Sequence, residues 1–454
     1  MERTWIRDPL AVLAPDGVDA RGGVVVAEGR IATLVAHRQE PTGWGLPGDT
    51  AVDASRKVLL PGLVNTHHHF FQTLTRAWAP VASSELFDWL TRLYEVWASV
   101  TPEDLEVATE TALVELLLSG CTTAVDHHYL FPAGLEEAID LQVEVAARLG
   151  VRAHLTRGSM SLGSDDGGLP PQRVVQSPET ILADSRRLVQ RYHDPAPGAM
   201  VQIALAPCAP FNVGAGLMRD TAALAAELGV RLHTHLAETL DEERFLQERF
   251  GARTVDFLED VGWLGERTWL AHGIHLDDRE IARLGAAGVG VAHCPHSNMR
   301  LASGTCRVLE LEAAGVPVGL GVDGSASNDA SSLVAEVRAS LLLQRLHYGA
   351  AAVTPQRALG WATSGGARVL GRADIGVLEA GRQADLALFD LDDIRYAGAH
   401  DPLAALVLCG AERASDVMVA GQWRVRDSEV LGVDLPRLLA RQREAAAALV
   451  ARTG

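Results

Sequence analysis

Lysine is almost missing from this 454-residue chain. Lys57 is the only one, and every other fixed side-chain cation is an arginine. That absence excludes a phosphate-cradling P-loop, which needs Gly-Lys, and a catalytic lysine anywhere beyond residue 57. Cysteine is sparse. Cys121, Cys208, Cys294, Cys306 and Cys409 contain no CxxC pair and are odd in number, which argues against a disulfide framework or a cysteine zinc site. Each reads better as a small buried hydrophobe than as a nucleophile. No apolar run reaches the roughly 20 residues of a bilayer span. Asp8 and Pro9 interrupt any signal-like start in MERTWIRDPLAVLAPDG, so a cytoplasmic location is expected. The net charge of -18 and pI near 5.3 argue against nucleic acid or an anionic membrane as the main partner. HExxH is absent, which excludes the helix-borne protease site.

What the chain does have is a rhythm. From about residue 60, short β-branched runs alternate with helical segments. The strands read as KVLLPGLVNTH, CTTAVDHH (121–128), VRAHLTRG (151–158), VQIALAP (201–207), VRLHTHLAE (230–238), TWLAHG (268–273), VGVAHCP (289–295) and VPVGLGVDG (316–324). Thr101-Pro102-Glu103-Asp104 and Ser177-Pro178-Glu179 each offer an N-cap, a first-turn proline and acid. Gly150, Gly229, Gly288 and Gly315 each stand directly before a strand, as helix-ending glycines do. Eight strands alternating with helices predict an α/β fold, a (β/α)8 barrel; a doubly wound open sheet is the competing topology.

The flanks differ. Residues 1–59 and 373–433 are rich in strand-like runs and turns, such as GVVVAEGRIATLV and ADLALFDL. Two such flanks around one barrel predict a small β-sandwich built from both chain ends. Residues 60–372 then form the catalytic barrel, and residues 434–454 a terminal helix.

In such a barrel, reacting groups sit where strands end. Strand one ends His67-His68-His69; alternation puts His67 and His69 on one face and His68 on the other. Strand five ends His233-Thr234-His235-Leu236-Ala237-Glu238. Strand six ends in His272, with His275 beyond, strand seven carries His293, and strand eight ends in Asp323. Imidazoles plus one carboxylate suit Zn²⁺ or Fe²⁺. Spacing alone leaves open which member of the strand-five pair is a ligand. His235 lies nearer the strand end, and His233 would sit one layer deeper, where a hydrogen-bonded core histidine is the plainer account.

The motifs PGLVNTHHH, HTHLAE, LAHG and GVDGSASND, in that order, resemble the amidohydrolase superfamily and, more narrowly, its amino-heterocycle deaminases. GVLEAGRQADLALFD is similar to that superfamily's small domain. The loops HHHFFQTLTRAW, RGSMSLG and CAPFNV look most like 8-oxoguanine deaminases, with s-triazine hydrolases as close relatives. The resemblance covers essentially the whole chain. It implies one divalent metal, Zn²⁺ or Fe²⁺, on His67, His69, His235 and Asp323, with Glu238, His272 and Asp323 catalytic. The missing barrel lysine agrees with the mononuclear branch, because binuclear members bridge two metals with a carboxylated lysine. It also implies hydrolytic deamination of a heterocycle, with 8-oxoguanine to uric acid plus ammonia the first expectation. Triazine hydrolysis, or deamination of another purine, pterin or pyrimidine, is the alternative.

Charge logic agrees. A cation lowers the pKa of a bound water toward ~7, and hydroxide can then attack a ring carbon bearing an amine. The ring nitrogen and the departing amine must both gain protons, a task for a carboxyl such as Glu238. Gln72 could match a ring edge with paired donor and acceptor, and Arg157 could hold a carbonyl oxygen. Trp78, Trp89 and Phe211 could stack on a flat ring or belong to the core. Asp126, His127 and His128 read as loop residues. Expected partners are a small heterocyclic substrate and further copies of the chain, with no nucleic acid or membrane. Gly319-Leu-Gly321-Val-Asp-Gly324 fits the dinucleotide pattern but lies within a strand and holds Asp323, so an NAD enzyme is rejected. A non-catalytic metalloprotein is disfavoured because it needs no proton shuttle beside a metal.

Overall fold

The computed structural model describes residues 2–453. The chain opens with β1 (Arg3–Arg7), β2 (Ala11–Val12), β3 (Gly23–Ala27), β4 (Arg30–Val35), β5 (Asp49–Asp53) and β6 (Lys57–Pro61). The next eight strands are β7 (Leu63–Asn65), β8 (Cys121–His128), β9 (Arg152–Ser159), β10 (Val201–Pro207), β11 (Leu232–Leu236), β12 (Thr268–His272), β13 (Gly290–His293) and β14 (Val318–Leu320). The chain returns with β15 (Leu386–Asp390), β16 (Asp416–Val419), β17 (Gln422–Arg426) and β18 (Glu429–Val430).

Strands β7 to β14 form one parallel sheet in sequence order. Every residue of β8 and β9 is buried, as a sheet filled within and covered by helices requires. The ring closes between its first and last strands. Thr66 N–H donates to Leu320 O (3.0 Å), Asp323 N–H to His67 O (3.1 Å), and Val322 N–H to Asn65 Oδ1 (3.0 Å). This is the expected (β/α)8 barrel. The helix signals behave as read: Thr101 and Asp104 form a capping box on the helix Pro102–Leu118. Gly150, Gly229 and Gly288 end their helices in the left-handed conformation.

The first expected strand is really two. KVLLP pairs antiparallel with β15, whereas LVN enters the barrel beside β8. The switch falls at Gly62, where a Cβ would lie 2.2 Å from Thr122 Oγ1; only glycine lets the chain pass so close. The eighth strand is also shorter than expected, so Asp323 lies beyond it, with φ 60°.

The two flanks meet in paired sheets, β4-β3-β1-β5 and β18-β17-β16-β15-β6-β2. Between them pack Ile6, Val24, Ile31, Leu59, Leu386 and Met418, a sandwich core. Lys57, the lone lysine, pairs with buried Asp416 at 2.5 Å across this sheet. The helix Leu435–Ala451 lies over the barrel, with Gln442 donating to Thr73 O at 3.0 Å. Among the described residues no helix is long and apolar enough to cross a membrane.

One buried ion pair fastens barrel to sandwich. Arg152 of β9 makes two 3.0 Å bonds to Asp385, whose Oδ1 also accepts from Ala420 N–H at 2.7 Å. Both side chains are about 1% exposed. Asp385→Ala strands a buried guanidinium and is expected to destabilise the fold by about 3–5 kcal/mol. A shift of the urea midpoint measures this, and an unchanged midpoint refutes the role given to the pair.

Candidate active site

The polar strand ends converge at one mouth of the barrel. Asp323 Oδ1 lies 3.3 Å from His67 Nε2 and 3.3 Å from His69 Nε2. His69 Nε2 lies 3.1 Å from His235 Nε2. His272 Nε2 stands 4.0 Å from Asp323 Oδ2 and 3.4 Å from Glu238 Oε2. His68 turns the other way, to Ser331 Oγ at 2.9 Å. Two overlapping sets have their ligand atoms within 4.8 Å of one another: His67, His235, His272 and Asp323, and His67, His69, His127 and His235.

The hydrogen-bond network settles which ring nitrogens carry protons. His69 Nδ1–H donates to His127 O (2.7 Å) and His235 Nδ1–H to Cys208 O (2.6 Å). His233 Nδ1–H donates to Trp269 O (2.9 Å), so its Nε2 accepts from His67 Nδ1–H at 2.8 Å. A neutral imidazole has one N–H. Each of the three Nε2 atoms therefore presents a lone pair to the same spot. His67 Nε2 is buried with no hydrogen-bond partner. Three lone pairs and a carboxylate facing one another in a dry interior repel unless a cation lies among them. Four donors at 2.0–2.1 Å from a tetrahedral centre stand about 3.3 Å apart, close to the spacings here. The residues fit a metal ion. His233, the deeper member of its pair, orients His67, the outer-shell role common beside metal-binding imidazoles.

Glu238 is buried beside this cluster. Burial, then the charge of Asp323, pushes its carboxyl up to about 8. Ser303 Oγ donates to its Oε1 at 3.3 Å. His272 is held below its ordinary value, chiefly by burial. Ala237, His272 and Asp323 all adopt positive φ, at 56°, 75° and 60°. Such left-handed backbone at non-glycine residues gathers at functional sites.

A small cavity opens over the cluster. His69, His235, Glu238, His272 and Asp323 form its floor, with Gln72, Trp89, Tyr94, Tyr129, Cys208 and Phe211 in its wall. Gln72 lies in the cavity wall, donating toward Tyr129 Oη at 3.5 Å. Arg157 does not reach the cavity. Its guanidinium bonds Asp184 (2.6 Å) and Gln176 (2.8 Å) and lies 3.7 Å over the Phe131 ring. Trp78 lies outside the wall as well. Asp126, His127 and His128 are no loop: they end β8 and are wholly buried. His127 stacks on His235 at 4.7 Å, and Asp126 accepts from Phe70 N–H at 2.6 Å. Tyr129 shares the alternation of His127, so carrying the strand to its end would have found it. Tyr94 comes from the helix Leu86–Trp97, where no spacing signal marks it.

The profile of the amidohydrolase family matches residues 58–424. Over 451 residues the chain is 65% identical to the 8-oxoguanine deaminase of Pseudomonas aeruginosa, covering 99% of this chain and 100% of that one. It is 39% identical over 431 residues to the hydroxydechloroatrazine ethylaminohydrolase of Pseudomonas sp. strain ADP, covering 92% and 88%. The crystal structure of atrazine chlorohydrolase from Arthrobacter aurescens TC1, complexed with zinc, superposes with a TM-score of 0.90 at 31% identity, covering 98% and 100%.

The buried groups fix how the metal-free protein responds to pH. Burial holds Asp126 up to about 7 and Glu238 and Glu242 up to about 8. These acids keep protons in the folded state that the unfolded chain has lost, so they favour folding at low pH, an advantage that fades as pH rises through the folded values. Burial holds His67, His233 and His235 below their ordinary 6.5, which favours folding increasingly as pH rises toward that value. Above 6.5 the histidines are neutral in both states and only the acids count. Chelator-stripped protein should lose stability between pH 6.5 and about 8. Urea midpoints across that window measure it, and a flat or rising profile contradicts the sign.

Proposed function

This chain belongs to the amidohydrolase family, and from that premise we propose that it deaminates 8-oxoguanine by hydrolysis, giving uric acid and ammonia. The observation that carries the reading is the Glu238 carboxyl, buried at the cavity floor within 3.4 Å of His272 and beside the converging imidazoles. The substrate class rests on the 65% identity along the whole chain to the Pseudomonas aeruginosa 8-oxoguanine deaminase. We read residues 60–372 as the unit that carries the chemistry and the joined ends as its support.

His67, His69, His235 and Asp323 would hold one divalent ion, Zn²⁺ by donor chemistry. Such an ion supplies a Lewis acid that lowers the pKa of water toward ~7. The remaining work falls to side chains. Glu238 accepts a proton from the attacking water and gives it to the ring nitrogen beside the attacked carbon. It then takes the remaining proton from the newly formed C–OH and passes it to the exocyclic amine, so that the C=O bond forms as the C–N bond breaks and ammonia leaves. A carboxyl buried beside the reacting atoms can pass protons between them directly. His272, neutral and within reach of Glu238, orients the water and steadies the developing oxyanion. Gln72 offers one donor and one acceptor to the ring edge, and Trp89 and Phe211 provide apolar walls for a flat ring.

The second reading keeps this machinery but expels another group. The 39% identical ethylaminohydrolase and the superposed atrazine chlorohydrolase favour it. Ammonia release from 8-oxoguanine, guanine, isoxanthopterin, cytosine and melamine-type triazines separates the two. We expect 8-oxoguanine to be turned over best; turnover of a triazine with none of 8-oxoguanine would favour the rival. Glu238→Gln should keep its metal, read by elemental analysis, while kcat falls by about 10²- to 10⁴-fold. Activity that survives this change removes Glu238 from the shuttle role.

A further inference from the structure

A second buried glutamate stands four residues beyond Glu238, and no step above uses it. Glu242 is wholly buried. Its Oε1 accepts from Ala237 N–H at 3.1 Å and its Oε2 from Glu238 N–H at 3.0 Å. Glu242 is the third residue of the helix Leu240–Phe250, whose N-cap is Thr239. A glutamate there ordinarily reaches back to the N-cap's own N–H in a capping box. This one reaches past it and spends both oxygens on the turn before the helix. Ala237, the middle of that turn, has φ 56°, a conformation an L residue seldom adopts unless its surroundings hold it there.

The same peptide reaches the next strand end. Ala237 O accepts from Ile274 N–H (2.8 Å) and His275 N–H (2.9 Å), and Leu236 O accepts from Gly273 N–H (3.1 Å). Those donors directly follow His272. The turn that Glu242 grips therefore carries Glu238 on one side and is bonded to the turn after His272 on the other. A buried carboxyl group is costly unless its oxygens are satisfied. Here two successive backbone N–H groups satisfy it.

We propose that Glu242 is a positioning residue. It clamps the 236–238 turn so that the Glu238 carboxyl and the His272 ring stay in fixed register over the cavity. It touches no substrate, and it supports none of His67, His69, His235 or Asp323 directly. The proposal rests on the reading of Glu238 as the proton shuttle.

The test uses metal-loaded wild type, Glu242→Gln, Glu242→Ala and, in parallel, Glu238→Gln. A glutamine is isosteric and can accept one of the two N–H bonds through its amide oxygen; alanine accepts neither. We expect kcat for ammonia release to fall by about tenfold in Glu242→Gln and about 100-fold in Glu242→Ala, with KM changed by less than about threefold. Metal content should stay at the wild-type level, and the Ala237 and Glu238 amides should exchange with deuterium faster in both variants. If Glu242→Ala does not accumulate as folded protein, Glu242→Gln decides alone. Wild-type kcat and amide protection in Glu242→Gln overturn the clamp. So does a loss that appears equally in metal content or in KM. Glu238→Gln separates the two claims. An active Glu238→Gln removes the shuttle reading, whereas an inactive Glu238→Gln beside a normal Glu242→Gln removes only the clamp.

Discussion

Electron pairs aimed at one another are the constraint around which this molecule is arranged. His67, His69 and His235 each turn a bare nitrogen toward Asp323. Left alone, imidazoles would rotate or take up protons to escape such an arrangement. They cannot rotate here, because the far nitrogen of each ring is tied to a fixed acceptor: two to backbone carbonyls, the third through His233 to another carbonyl. The carbonyls belong to residues in or just beyond neighbouring strands, so the tautomers are set by the sheet itself. The repulsion stored among these groups is what a cation relieves on arrival. The strain is borne by a closed ring of strands whose side chains have little room to give.

Acidic side chains recur around that mouth with a common task. Asp126 accepts from Phe70 N–H next to His69. Glu336 accepts from His296 N–H at 3.2 Å and from Asn328 Nδ2 at 2.7 Å, across the loops after β13 and β14. Glu115 accepts from Ser331 N–H at 3.0 Å. Loops on a barrel rim have few ladder bonds of their own, and a carboxylate can take two N–H groups at once with charge-assisted strength. Acidic side chains that grip backbone N–H groups thus add rigidity at the catalytic rim.

Much of this was legible in the sequence because strand periodicity carries direction. Alternation separated His67 and His69 from His68, and nearness to the strand end favoured His235 over His233 as the outer member. The glycines at helix ends marked where strands begin. Other features are legible only in three dimensions. Arg157 ends a strand as a substrate contact would, but its environment is fixed by Asp184 and Gln176, 27 and 19 residues away, and these take its charge before any ligand can. The split at Gly62 depends on Thr122, a neighbour in the next strand. Tyr94 reaches the cavity from a helix whose sequence reads as ordinary amphipathic packing. Glu242 looks like a helix-capping acid until the turn it grips is seen. In each case the deciding partner is remote in sequence or offers only backbone, and backbone leaves no letter to read.

The sandwich made from both ends bears on how the molecule is born. Lys57 and Asp416 are 359 residues apart, and β6 has its place in the sheet only once β15 exists. At roughly 5–20 residues per second on the ribosome, the leading segment waits about 20–70 s for its partner. Throughout that interval the edge of β6 that will meet β15 lacks its ladder, the kind of exposed template on which nascent chains aggregate. Vectorial synthesis therefore delivers the barrel strands before β15, and until then the opening strands have only one another and their own small β4-β3-β1-β5 sheet to pair with.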